Sequence, residues 1–250
     1  MILDDYGMAE TLAKKAWSHF KLDQVVAHVK SKRFLKIKDR PVLRGHLTDL
    51  ASNLPSSRRF KLASISYVLA TFLQSAPSPW FLAGEYDFDK RQVAIAYHLS
   101  PPEPEPGESP DELKDWLLRQ LDFRVLATTC RHEITHALRH ADKGFVISKE
   151  LRRRANQSVN DMSYWYRDRN EQDALVHEVA EMKSLSGKYW DDMSLSELLR
   201  VLWKLDHYVT DDKLRPRMLG RLVAEDLLGR KAKKELEEVG LLDMAPGKAT

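Results

Sequence analysis

A mainly α-helical, α+β fold with a small β-hairpin is what this 250-residue sequence predicts. Apolar residues recur at helical spacing over most of the chain, and between residues 80 and 100 the period shortens to that of strands. There is no internal repeat and no Gly-rich phosphate loop. With 43% apolar residues, the length fits one core-forming domain, or one domain with a helical appendage.

The elements follow in chain order. Leu12, Trp17, Phe20 and Val25 recur at helical spacing, and so does the apolar run ASISYVLATFLQ (63–74), which predicts a helical region up to about residue 75. The SAPSP cluster (75–79) ends it. WFLAGEYDF and VAIAYHLS, separated by the polar DKRQ, predict a β-hairpin. The five prolines and one glycine of PPEPEPGESP (101–110) support neither a ladder nor a helix interior, so this stretch is an exposed loop. Ser109 as N-cap with Pro110 at the first helical position starts a helix. It continues through DWLLRQL and RVLATTCRHEITHALRHA, with a break near Asp122 and a stop at Gly144. Beyond residue 145 the pattern is helical in pieces: ISKELRRRANQ, NEQDALVHEVAEMKSL, SLSELLRVLWKL and a charged helix near 222–239. Three regions result: a basic helical one (1–75), a central core (76–190) and a C-terminal helical one (191–250), which can form one domain.

Charge is uneven. The net charge is +3, yet residues 1–61 hold 13 Lys/Arg against 6 Asp/Glu, a surplus of +7 that the rest of the chain offsets with −4. VKSKRFLKIKDRPVLRGH (29–46) and SSRRFK (56–61) carry most of it. Such a face suits an acidic partner, nucleic acid or anionic lipid, or is simply solvated; no nucleic-acid motif accompanies it. Cys130 stands alone, which excludes an internal disulfide and fits a reducing compartment. No run approaches the roughly 18 apolar residues of a membrane span, and MILDDYGMAE lacks the blocks of a secretory signal, so the expectation is a cytoplasmic protein without a membrane partner.

The chemistry is concentrated in TTCRHEITHALRHAD (128–142), where His132, Glu133 and His136 form His-Glu-x-x-His. At about 100° per residue the two histidines differ by about 40° and about 6 Å of rise, so both imidazoles leave one helix face and can share a Zn²⁺. Glu133 flanks that face, displaced by about 60° from His136, poorly placed as a ligand but well placed to hydrogen-bond a water on the ion, as a general base must. His140 shares the face but lies about 12 Å along the axis from His132, too far for the same ion. It is expected beside the site, on the substrate side or at the helix C-terminus, where positive charge suits the macrodipole. Cys130 points away at about 200° and is expected to be a small buried hydrophobe.

A catalytic zinc needs a third protein ligand, and the best source is YRDRNEQDALVHEVAEM (166–182). Glu171 and Glu178 are seven residues apart, nearly in register on one helix face with Ala174 between them, and His177 is a further donor. Ala174 would allow this helix to approach the histidine helix closely. Tyr164, Tyr166, His207 and Tyr208 are possible oxyanion donors that the sequence does not separate from core aromatics.

In these motifs the chain resembles a zincin metallopeptidase of the gluzincin type, over about residues 80–185. His132, Glu133 and His136 match its motif, and the Glu-x-x-Ala at 171–174 resembles the helix that supplies the family's third ligand. The resemblance implies Glu171 as ligand, Glu133 as base, and a hairpin edge strand that lines the cleft and pairs with an extended peptide, with VAIAYHLS as the candidate. The gap from His136 to Glu171 is 34 residues, longer than in compact gluzincins, which keeps Glu178 in contention. The functional expectation is a zinc-dependent metallopeptidase acting on a protein or peptide substrate. Its alternative is a non-catalytic zincin-like scaffold that binds nucleic acid or a protein partner through the basic N-terminal region, Lys36, Lys38, Arg40 and Arg44 included.

Overall fold

The computed structural model describes residues 7–20, 42–50, 52–73, 81–99, 122–146 and 166–242. The chain divides into two units, one of Asp4–Val146 and one of Ile147–Thr250 together with Met1–Leu3. The proline-rich loop 101–110, the helix start at Ser109, DWLLRQL, ISKELRRRANQ, Val25 and most of the basic stretch 29–46 lie outside the described residues.

In the first unit, helix α1 (Met8–Phe20) buries Met8, Ala9, Leu12, Ala13, Ala16 and Phe20, the stripe that a 3.6-residue period produces. Strands β1 (Leu43–His46), β2 (Ser66–Leu73), β3 (Phe81–Asp87) and β4 (Gln92–Leu99) form one sheet in the order β1-β2-β4-β3. β1 is antiparallel to β2, β2 is parallel to β4, and β3 and β4 are the antiparallel hairpin expected from WFLAGEYDF and VAIAYHLS. Helix α2 (Ser56–Leu62) lies between β1 and β2 in sequence.

Two expectations are corrected here. The run 63–74 is not helical: Ile65, Tyr67 and Leu69 are buried while Ser66 and Val68 are half-buried, and Tyr67 and Leu69 pair in register with the buried Val93 and Ile95 of β4. Residues of β2 on the less buried face, such as Val68, are apolar too, so its sequence is nearly continuous and hides the two-residue alternation. VAIAYHLS is not the edge strand either. It forms β4, enclosed by β2 and β3, and the edge of the sheet on that side is β3. The chain passes from β2 to the outer position first and returns through the hairpin into the gap between them.

Helix α3 (Phe123–Asp142) carries the motif and packs on α1, β3 and β4. It starts at the expected break. Asp122 is the N-cap, its carboxylate accepting the Arg124 backbone N–H at 2.8 Å. It ends as expected too: Gly144 takes φ +68°, and the N–H groups of Phe145 and Gly144 donate to the carbonyls of His140 and Ala141, each at 2.9 Å. These bonds satisfy carbonyls that the last turn leaves unpaired, in the Schellman pattern. Arg58 of α2 grips Asp142 at the same end with two 3.0 Å bonds.

The second unit is helical throughout its described residues: α4 (Arg169–Ser186), α5 (Leu195–Val201), α6 (Trp203–Thr210), α7 (Arg215–Ala224) and α8 (Arg230–Glu238). Asp168 caps α4, accepting from the Asn170 N–H at 2.7 Å, and Ser194 with Glu197 forms a capping box on α5. SLSELLRVLWKL is broken at Leu202, whose ψ of 61° leaves the helical region, and the charged stretch 222–239 divides between α7 and α8. Leu175, Val179, Met182, Trp190, Leu198, Leu205, Tyr208, Leu222 and Leu236 form its buried interior.

Asp122→Ala should lower stability by about 1 kcal/mol, the usual cost of losing an N-cap, while Asp122→Asn keeps most of it; urea unfolding followed by circular dichroism measures both.

Candidate metal centre

Helical phase alone sets the first half of the site. His132 and His136 lie one turn apart on α3 with ring centroids 4.9 Å apart, and both rings are buried. Glu133 is buried beside them, and Leu126, Ala127, Ile134 and Leu138 fill the core as expected. Cys130 is fully buried.

Glu171 stands in the first turn of α4, half-buried. One donor atom from each of His132, His136 and Glu171 lies within 4.8 Å of the others, and the three can hold a metal ion. Two imidazole nitrogens and one carboxylate oxygen suit a divalent ion of borderline softness, and three protein donors leave a position open. Among the described residues this is the group of metal-binding side chains that converges, and neither rival, Glu178 nor His177, joins it. Glu178 is buried on α4 with Lys204 Nζ 3.9 Å away, so its carboxylate faces a cation of its own unit. His177 is buried on the same helix.

Of the four possible oxyanion donors, Tyr166, His207 and Tyr208 form one aromatic cluster, while Tyr164 lies outside the described residues. The Tyr166 ring stacks on His207 at 4.5 Å and meets Tyr208 edge-on at 5.5 Å. Burial raises the pKa of both phenols above the ordinary tyrosine value, and the negative charge of Glu171 raises it further, so both stay protonated donors at neutral pH.

His140 is held away from the pair. Its Nδ1 is 2.9 Å from the Tyr86 hydroxyl on β3, and the rings of Phe88 and Phe145 meet it edge-on, each at 5.2 Å. It therefore sits beside the site, one turn past His136, and is not a third histidine ligand. The hairpin residues Gly84, Tyr86 and Phe88 are the neighbours that sequence reasoning missed. Their every-second-residue spacing on a strand marks one face, but nothing local says that this face meets α3. The basic residues Lys36, Lys38 and Arg40 lie outside the described residues, and Arg44 is exposed on β1.

Burial holds the His140 pKa below its ordinary value, Arg91 and Lys143 lower it further, and the Phe145 backbone and Asp89 oppose the shift. Tyr86 faces it from β3. A histidine with a depressed folded pKa binds its proton first in the unfolded chain, so its contribution to stability is complete above about pH 6.5 and is lost as the pH falls toward the folded value. Urea unfolding of metal-free protein between pH 7.5 and 5 should therefore show falling stability, with a flatter slope in His140→Gln.

No family model matches the chain, and neither does any curated protein or solved structure.

Proposed function

We propose that the chain is a zinc-dependent metallopeptidase in which His132, His136 and Glu171 hold the ion and Glu133 is the general base. The observation that carries this reading is the convergence of those three donors within 4.8 Å of one another, with Glu133 buried on the same helix face. Zinc bound there supplies a Lewis acid that polarises a carbonyl and makes water acidic enough to deprotonate near neutral pH.

The protein side chains do the rest. Glu133 takes the proton of the attacking water and returns it to the leaving amine, the two-way transfer that a carboxylate near the reacting atoms performs. Tyr166 and Tyr208, kept protonated by burial and by Glu171, are available as hydrogen-bond donors on the Glu171 side. β3 has β4 on one side and no strand on the other among the described residues, so an extended peptide can add to it by main-chain hydrogen bonds.

Elemental analysis of purified protein should find close to one zinc per chain, falling to near zero in His132→Ala and in Glu171→Ala, and unchanged in Glu178→Gln. Zinc retained in full by His132→Ala defeats the proposal. Glu133→Gln should keep the metal and lose about 10²–10⁴-fold in the rate of peptide hydrolysis, the usual contribution of a positioned base. An unchanged rate in that variant removes Glu133 from the chemistry, whereas salt-dependent binding of nucleic acid that is lost when Lys36, Lys38, Arg40 and Arg44 are neutralised, with no effect of Glu133→Gln, favours the scaffold.

A further inference from the structure

We infer that Gly84 is a positioning residue for Glu133, an inference that rests on the reading of Glu133 as general base: the missing side chain at 84 is what leaves the carboxylate its place between β3 and α3. A Cβ built on Gly84 would fall 2.8 Å from Glu133 Oε1, 2.9 Å from Glu133 Cγ and 2.8 Å from Thr129 Cγ2. All three are below normal carbon contact distances. Gly84 is absent from the glycines with positive φ, so the position requires glycine for space and not for backbone conformation.

The neighbours decide which group would yield. Thr129 is β-branched, and its hydroxyl donates to the Val125 carbonyl at 2.9 Å, which holds its methyl in place. The strand cannot easily retreat, because Gly84 pairs with Ile95 in the enclosed strand β4. The Glu133 side chain is the remaining movable group, and it is buried. An added methyl at 84 therefore turns the carboxylate out of its position.

A double-variant cycle tests this without any metal. Gly84→Ala should lower Tm by about 2–12 °C, the range expected from overpacking a chain of this size by one methyl. In a Glu133→Ala background, where the two contacts with Glu133 are gone and only the one with Thr129 remains, the fall should be clearly smaller. Equal losses in both backgrounds would overturn the inference.

Cobalt loading gives the second measurement. The visible absorption of the Co²⁺ protein should change in Gly84→Ala in the same sense as in Glu133→Gln, where the carboxylate itself is replaced. Gly45→Ala is the control: its Cβ would collide with Tyr67 in the same sheet, so it loses stability while keeping the wild-type spectrum. A wild-type spectrum in Gly84→Ala beside an altered one in Glu133→Gln sinks the positioning role and leaves the metal reading standing. If the wild-type protein takes up no cobalt, the metal reading fails, and the Tm cycle alone decides whether Gly84 seats Glu133.

Discussion

Helix α3 buries a polar face, and that burial is the constraint on which the rest of the structure depends. Thr128, Arg131, His132, Glu133, Thr135, His136 and His140 are all buried on one twenty-residue helix. Removing such groups from water costs several kcal/mol for each one left without a partner, and more for a charge. The two threonines answer this locally by donating to the Val125 and Arg131 carbonyls, and His140 answers it with the Tyr86 hydroxyl. For His132 and His136, a divalent ion shared with a carboxylate would be one such partner.

Interactions within a few residues were legible in the sequence, and those between distant segments were not. The start of α3 at Asp122 and its stop at Gly144 depend on cap and turn chemistry spelled out by adjacent residues, and the structure places both where that chemistry puts them. The β3–β4 hairpin is similar, with two strand-like runs around a four-residue polar turn. β2 is the opposite case. Its neighbours β1 and β4 come from twenty residues before it and twenty after it, and they cover both of its edges. Its sequence, SYVLATFL, is almost uninterrupted apolar, and periodicity alone does not separate it from a buried helix. The exchange of edge strand between VAIAYHLS and WFLAGEYDF has the same origin, since the order of a hairpin's two strands in a sheet depends on which one meets a third.

The third ligand shows the limit most sharply. Glu171 and Glu178 are two helical turns apart and share a face, so helical phase treats them almost alike. What separates them is that the carboxylate of Glu171, and not that of Glu178, converges with the two histidines. Lys204, on a different helix, approaches Glu178, and a buried carboxylate beside an ammonium group gains little by leaving it for a metal. Glu171, in the first turn of α4, has its donor atom near His132 and His136 and has the phenols of Tyr166 and Tyr208 close enough to feel its charge. Sequence spacing can propose both carboxylates, but it does not select between them.

β3 joins these threads. At Gly84 the backbone runs close enough to α3 to exclude any side chain and meets Glu133; at Tyr86 a hydroxyl reaches His140; just beyond the strand, the Phe88 ring stands 6.3 Å from that of His136. Two alternate positions of the strand, and the residue just past its end, thus face Glu133, His140 and His136 of the helix. A strand buried on both edges could make the same side-chain contacts, but its backbone would have no free hydrogen-bonding groups for another chain. At the edge of the sheet, β3 can pack on Glu133 with one face while offering main-chain donors and acceptors along its outer side. The hairpin's return into the gap beside β2 is therefore what gives the histidine helix a neighbour that is both rigid and accessible.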